Sequence, residues 1–276
     1  MTALLWRKIW RKPGFVFGVA VLVPLALAAI FANYVAPYAP NDMLNQRYVP
    51  PFSPGHVLGT DNLGRDILSR LVYGARLSLV VGFLAIGIAL TAGTVLGVVA
   101  GYAKGAVDNV IMRIMDVLLA FPDILLALMM ITMLGPGLQN VMIALGVASI
   151  PGYTRLARGA TLEVAAFDYV EASRSLGTSR VRILFRHVVP NMIQPVLVVA
   201  TLGVAGAILA AAGLSFIGLG APPGTPEWGA MLSDARTYMR RAWWIATIPG
   251  IAISLTVLAI SLMGEALRDV LDPKLK

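Results

Sequence analysis

The sequence predicts an all-α, polytopic membrane protein with six transmembrane helices. Of its 276 residues, 58% are hydrophobic and 13% are charged, and the mean hydropathy is +0.79. Because soluble domains carry about 25% charged residues, this chain is too apolar to cover a soluble globule. Apolar runs of about 20 residues, the length that crosses a bilayer, also recur along it. These observations exclude a cytosolic enzyme and a disordered chain, and the absence of cysteine excludes a disulfide scaffold.

Six apolar segments fully or nearly meet the length needed for a transmembrane helix. The first two carry no charge, and the second contains spaced glycines that allow helices to pack closely. The third includes Arg113, Asp116 and Asp123, and the fourth is apolar only as far as the Pro151-Gly152 pair. The predicted spans are residues 15–35, 77–101, 110–134, 138–150, 192–213 and 243–263.

The distribution of basic residues predicts the orientation in the membrane. With six spans, both termini lie on the same side. Fifteen of the 22 Lys and Arg residues then fall on the side of the termini and seven on the opposite side. Since basic residues are enriched in cytoplasmic loops, we expect both termini in the cytoplasm. The net charge of +8 therefore reflects topology, and nucleic acid is not an expected partner.

The long cytoplasmic loop carries two amphipathic helical patterns. Apolar positions recur every three or four residues over 155–176, and Gly177 follows where a C-cap glycine is expected. Thr178 and Ser179 offer an N-cap for a second helix, which we expect Pro190 to end. The apolar positions of this second helix are Val181, Leu184, Phe185 and Val188. Two short helices joined at a glycine are suited either to dock into a partner protein or to lie on the membrane surface.

Residues 169–191 of this loop resemble the "EAA" loop of permease subunits of ATP-binding-cassette importers. The matching residues are Glu171, Ala172, Ser173, Gly177, Arg182, His187, Pro190 and Asn191. Ser173 stands where the family usually has a second alanine, so a small residue is kept. The resemblance implies that the loop contains a coupling helix that docks into an ATPase subunit, with Gly177 setting its angle. We expect Arg182 and Arg186 to tie the second helix to the rest of the protein.

Three further motifs are similar to the second, C-type, permease subunit of the dipeptide/oligopeptide/nickel family. They are Leu-Gly-Thr-Asp-Asn-Leu-Gly-Arg-Asp at 58–66, Leu-Ser-Phe-Ile-Gly-Leu-Gly at 214–220 followed by Glu-Trp-Gly at 227–229, and Gly-Glu-Ala-Leu-Arg-Asp at 264–269. Ser261 stands where that family commonly has asparagine. The resemblance implies a type I ABC importer permease (MetI-like) fold in a bacterial inner membrane. It also implies a homologous permease subunit, two cytoplasmic ATP-binding subunits and an extracytoplasmic solute-binding protein, besides membrane lipid.

The expected organisation has five parts. They are a cytoplasmic amphipathic segment (1–14), a first transmembrane helix (15–35), a periplasmic loop (36–76), a core permease domain (77–264) that includes the coupling loop (152–191), and a cytoplasmic tail (265–276).

The expected function is that of a permease subunit forming half of a pathway for peptides or a related small solute. The sequence has no P-loop and no plausible catalytic triad, so we expect neither ATP hydrolysis by this chain nor a cofactor or a metal. Two alternatives remain open at this point. The chain could be a self-contained ion-coupled secondary transporter using Asp116 and Asp123, or a membrane scaffold.

The remaining candidate residues lie in the third span and in the outer loops. We expect Arg113 and Asp116, three residues apart, to pair on one helix face, and Asp123 to line the pathway or to serve packing. In the outer loop 214–242, Trp228 and Arg240 are candidates for a binding-protein contact or a gate. Two histidines carry structural expectations: His187 should bond last-turn carbonyls, and His56 should be solvated.

Overall fold

The computed structural model describes residues 8–44 and 46–271, which form helices and connecting loops without a regular β-strand. The outer parts of both predicted cytoplasmic ends, residues 1–7 and 272–276, lie outside the described residues, as does residue 45. The helices of eight or more residues are α1 (Pro13–Ile30), α2 (Ile67–Ala103), α3 (Gly105–Leu119), α4 (Asp123–Leu134), α5 (Leu138–Ala165), α6 (Asp168–Ser175), α7 (Arg180–Phe216), α8 (Trp228–Ala235) and α9 (Trp244–Leu271).

Four of the described helices, α1, α2, α7 and α9, are long and apolar enough to cross a membrane. Helices α3 and α4 meet this criterion only together, and they are bent by 88° at the break between them. The third predicted span is therefore not one straight helix, because Pro122 has an extended ψ of 136° and lacks the N–H that would continue α3. The remaining predicted span corresponds to α5, whose second half carries Arg155, Arg158 and Glu163.

Three helices extend beyond their predicted limits. Helix α2 starts at Ile67, inside the predicted outer loop, because the Asp66 side chain accepts a hydrogen bond from the Ser69 N–H and caps it. Helix α5 passes through Pro151 to Ala165, so the prediction of one helix over 155–176 is wrong. Helix structure likewise continues past Pro190, which does not end it.

A π-helical turn, Leu184–Val188, precedes Pro190 within α7. The Val189 N–H reaches back five residues to the Leu184 carbonyl, whereas a regular α-helix bonds four residues back. Pro190 follows this wider turn by two residues, and because proline has no N–H, it donates no backbone hydrogen bond to the helix. The coupling loop is thus continuous with a membrane-spanning helix.

Helices α2 and α5 form the centre of the protein, and two glycines of α2 permit their close approach. A Cβ at Gly93 would lie 2.6 Å from the Tyr153 Cβ, and one at Gly97 would lie 2.6 Å from the Ala157 Cβ. Both distances are too short for real Cβ atoms, so only glycine fits at these positions. The close packing predicted from the glycine spacing is confirmed here. Helix α1 packs on α9 at the periphery.

Candidate functional site

The segment predicted to couple to a partner forms an elbow, made of α6, residues 176–179 and the first two turns of α7. Val170 and Ile183 are completely buried and anchor it to the protein. The Tyr102 hydroxyl fastens it further by donating a hydrogen bond of 2.8 Å to the Arg180 carbonyl. The elbow is therefore held in place, although most of its residues are exposed.

Three large apolar side chains project from this elbow, and we call them the elbow patch. Leu176, Val181 and Phe185 are 86%, 66% and 67% exposed. The predicted apolar row of the second helix is thereby divided, since Val188 is buried whereas Val181 and Phe185 face outward. Exposed apolar groups on a well-anchored element indicate a surface that another molecule covers.

Gly177 forms the turn between the two helices of the elbow. Its φ is +79°, a left-handed conformation that glycine adopts without strain. The Gly177 N–H bonds the Arg174 carbonyl at 3.0 Å, and the Thr178 N–H bonds the Ser173 carbonyl at 3.2 Å. This pair of bonds is a Schellman motif, so the predicted C-cap glycine is confirmed.

We expect Gly177→Val to destabilise the elbow locally by about 1–2 kcal/mol, because a β-branched residue is strained at positive φ. No atom lies within 4 Å of the added Cβ, so the backbone conformation alone causes the effect. Hydrogen–deuterium exchange over residues 168–183 should become about tenfold faster. Gly177→Asn, which tolerates this conformation, is the control. Unchanged exchange in the valine variant would contradict the expectation.

The other resemblance-derived residues of the elbow are mostly at its surface. Glu171 is exposed and lies 3.6 Å from the Arg174 guanidinium, and the Ser173 hydroxyl donates to the Tyr169 carbonyl at 2.9 Å. The His187 ring lies edge-on to Tyr169, 6.0 Å between centroids, and thus connects α7 to α6. Contrary to expectation, this ring bonds no last-turn carbonyl among the described residues. Also exposed are Ala172, Arg182, Arg186 and Pro190.

Neither Arg182 nor Arg186 has a side-chain hydrogen bond or ion pair within the described part of the chain. The expectation that they tie the second helix to the protein is therefore wrong for this subunit. The buried side chains of Ile183 and Val188 hold that helix instead. Both guanidinium groups remain available to a partner.

A second candidate site is a cavity of about 570 Å³ between α2, the α3–α4 bend, α5 and α7. Its walls are mostly apolar or small, and Asp123 is the ionisable carboxylate among them. Asp123 begins α4 immediately after the bend, where the helix dipole favours a negative charge. Two hydroxyl-bearing residues, Ser149 and Tyr153, also line the cavity.

The predicted Arg113–Asp116 pair is replaced by ion pairs between α3 and α5. Asp116 Oδ1 lies 2.7 Å from Arg155 Nη2, and Asp108 accepts two hydrogen bonds from the Arg158 guanidinium. Arg113 is exposed and has no ion pair in the described structure. The reason is tertiary: α5 continues past Pro151 and carries Arg155 and Arg158 alongside α3.

A third feature, on the side opposite the elbow, is a buried charge network in the outer loops. Asp61 Oδ2 accepts from Arg65 Nε at 2.6 Å, and Arg65 also reaches Asp234 at 3.4 Å. The Arg70 guanidinium is almost fully buried and donates to both outer loops. Its acceptors are the Pro40, Gly224 and Thr225 carbonyls and the Asn41 side chain.

His56 belongs to the same buried region, contrary to the expectation that it is solvated. It is 5% exposed, and its Nδ1 lies 3.0 Å from Asp66 Oδ1. The 58–66 motif was noticed in the sequence for its resemblance alone. The available signal for this network is the close spacing of the charges in and just after this motif, at Asp61, Arg65, Asp66 and Arg70.

The two candidates in the second outer loop have different environments. Trp228 is fully buried, and its Nε1–H donates to the Leu71 carbonyl at 3.0 Å. A direct contact between Trp228 and a docked protein is therefore excluded. Arg240 is exposed and has no ion-pair partner among the described residues. It stays a candidate contact at the outer face.

Two parts of the sequence match known protein families. Residues 93–276 match "Binding-protein-dependent transport system inner membrane component", and residues 1–51 match "N-terminal TM domain of oligopeptide transport permease C".

Individual relatives match along nearly the full chain. The di/tripeptide transport system permease protein DppC of Pseudomonas aeruginosa is 46% identical, with 98% of this chain and 91% of the relative covered. The dipeptide transport system permease protein DppC of Escherichia coli K12 is 48% identical, with 98% and 92% covered. The glutathione transport system permease protein GsiD of Pectobacterium atrosepticum is 45% identical, again with 98% and 92% covered.

Solved structures give an independent similarity of fold. A chain of the MetNI methionine ABC transporter, in inward-facing conformations, superposes with a TM-score of 0.61 at 20% identity, covering 74% of this chain and 97% of that one.

Proposed function

Since the chain belongs to the family of binding-protein-dependent transport system inner membrane components, we propose that it forms half of the translocation pathway of an importer for short peptides. Members of this family are transport components, so the chain is a permease subunit and not itself an enzyme. The named substrates of its relatives are dipeptides, tripeptides and glutathione. All are short peptides that carry charged groups, which supports this class of solute.

The family assignment favours the ATP-driven importer over a self-contained ion-coupled transporter. The carboxylate of Asp116, one of two that such a transporter would use, is engaged by Arg155 in an exposed ion pair. The scaffold alternative is likewise disfavoured, because the relatives are named as transport permeases along almost the whole chain.

The elbow patch is the observation that carries the proposed coupling. ATP-binding subunits in the cytoplasm would cover Leu176, Val181 and Phe185, and Glu171, Arg182 and His187 lie on the same elbow. Because α7 is continuous from the elbow to the opposite side of the protein, a displacement of the elbow would move a membrane-spanning helix directly. Coupling thus needs no flexible linker between the partner and the pathway.

We expect Leu176→Asp to lower peptide uptake at least tenfold and to release the ATP-binding subunits during purification. Burying an unpaired carboxylate in a protein interface costs several kcal/mol. The measurement is uptake by the assembled transporter, together with the amount of ATPase subunit that copurifies. Leu176→Met, which keeps the apolar surface, is the matched control. Normal copurification and uptake with the aspartate would overturn the coupling role of the elbow patch.

For the other partners, we propose docking places from the surfaces that this subunit leaves open. A homologous permease subunit would close the open side of the cavity that Asp123 lines, and together the two cavities would form the pathway. A solute-binding protein would dock on the outer loops, where Arg240 is exposed. The chain is a multi-pass membrane protein, and we place it in the bacterial inner membrane with both termini in the cytoplasm.

A further inference from the structure

We propose that Asp123 and Tyr153 form a recognition point for the protonated amino group of the peptide as it passes through the membrane. This inference rests on the proposed function, because it concerns the solute that the pathway carries. It assigns to the permease a selective step in addition to any selection by the binding protein.

The recognition point lies near the middle of the membrane-spanning part. The cavity wall includes Ile86 of α2, Tyr153 of α5 and Gly203 of α7, each close to the midpoint of its long helix. Asp123 lies at the break between α3 and α4. An ionisable group at such a depth is costly to keep and indicates a functional role.

Neither polar group is satisfied by this subunit. Asp123 has no hydrogen-bond or ion-pair partner among the described residues, unlike Asp108 and Asp116, which are both paired with arginines. The Tyr153 side chain is only 7% exposed, and its hydroxyl also has no hydrogen-bond partner in the described structure. Asp123 is exposed to the cavity and the Tyr153 hydroxyl lies at its wall, so both polar groups are free to bind a solute there.

Gly203 allows the tyrosine to point into the cavity. A Cβ at this position would overlap the Tyr153 hydroxyl, so any other residue would displace the hydroxyl from its place. Since Gly203 also lines the cavity, the hydroxyl lies at the cavity wall.

The rest of the wall is suited to solutes with different side chains. Gly152, Gly206, Ala207 and Ala210 present little more than backbone to the cavity, and the other lining residues are mostly leucine, isoleucine and valine. Such a wall offers few polar contacts to the side chains of a solute, whereas one carboxylate recognises the ammonium group that short peptides share. A charge-assisted hydrogen bond from that ammonium to Asp123, with Tyr153 as a second polar contact, would satisfy all three groups.

The test is uptake of trialanine by the reconstituted transporter, titrated with its peptide-loaded binding protein. We expect Asp123→Asn to lower the maximal rate about tenfold, because the amide oxygen can still accept a hydrogen bond but lacks the negative charge that strengthens it. The concentration of binding protein at half-maximal rate should not change, because docking occurs at the outer face. Tyr153→Phe should lower the maximal rate about threefold, as expected for a neutral contact.

Two variants separate recognition from a structural role. Asp123→Glu retains the carboxylate and should recover most of the maximal rate, whereas Glu163→Gln, an exposed carboxylate outside the cavity, should change nothing. A wild-type rate in Asp123→Asn, or equal losses in the asparagine and glutamate variants, would overturn the proposal. A wild-type transporter that moves no peptide would instead overturn the proposed function, and this inference with it.

Discussion

Arg70→Met is expected to lower the free energy of unfolding by about 3–5 kcal/mol, the cost of breaking a buried ionic network by removing one partner. Arg70 is 1% exposed, and its guanidinium donates to acceptors in both outer loops. Its Nε also lies 3.8 Å from the Asp61 carboxylate. Methionine fills similar space but takes the donors away from these partly buried carbonyls and leaves the buried Asp61 carboxylate with fewer partners.

The measurement is the thermal unfolding of the purified transporter, combined with limited proteolysis of the outer loops. Arg76→Met is the matched control, since Arg76 lies on the same helix but is exposed and makes no ion pair among the described residues. We expect a clear fall in Tm and faster loop cleavage for Arg70→Met alone. Equal behaviour of the two variants would mean that Arg70 does not hold the loops together.

Trp228→Ala should cost a similar amount, about 3–5 kcal/mol, because it removes a large and fully buried side chain. The surroundings have little freedom to collapse into the space. A Cβ on Gly74 of α2 would lie only 2.8 Å from Trp228 Cδ1, which shows how closely that helix already packs against the indole. Glu227, which caps α8 by accepting from the Gly229 and Ala230 N–H groups, is itself buried beside it.

Two controls separate the packing of Trp228 from other effects. Trp228→Phe retains an aromatic ring and loses chiefly the hydrogen bond to the Leu71 carbonyl, so about 1 kcal/mol is expected. Trp243→Ala removes an indole that is largely exposed, and it should have little effect on Tm. Binding-protein-dependent uptake in Trp228→Ala should fall only in proportion to the amount of folded transporter. A specific loss of uptake at normal stability would restore a direct functional role for Trp228.

The predictions for Arg70 and Trp228 both depend on the outer loops being joined into one rigid unit. Arg70 connects residues 40–41 to residues 224–225, Arg65 reaches Asp234, and the Trp244 Nε1–H donates to the Thr60 carbonyl at 3.2 Å. Loops with these internal bonds would present a fixed shape to the proposed solute-binding protein. The elbow differs, because its apolar side chains are left exposed.

Much of the architecture was predictable because it depends on properties that are local in the sequence. Apolar length identifies membrane-spanning helices, and the predicted type I ABC importer permease (MetI-like) fold is confirmed by the family match and the similar structure. The Schellman turn at Gly177 was also predictable, because a C-cap depends on a few neighbouring residues. Helix ends are less predictable where a proline suggests a stop, because the helices continue through Pro151 and Pro190.

The candidate site was only partly predictable, because side-chain environments depend on which helices pass one another. Arg113, three residues from Asp116, is a suitable ion-pair partner by sequence, yet Asp116 pairs with Arg155 of α5 instead. Trp228 and His56 lie in the connections between the predicted spans, where exposure is the usual expectation, but contacts with distant segments bury both.

The sequence by itself determined the helical membrane character, the family and the position of the glycine turn in the elbow, since these follow from hydropathy, charge and short motifs. Only the tertiary structure decided which side of the elbow is exposed, how the outer loops are joined, and that Asp123 and Tyr153 line one cavity. The physical reason is that burial and pairing are set by the packing of α2, α5 and α7, which brings together residues far apart in the chain.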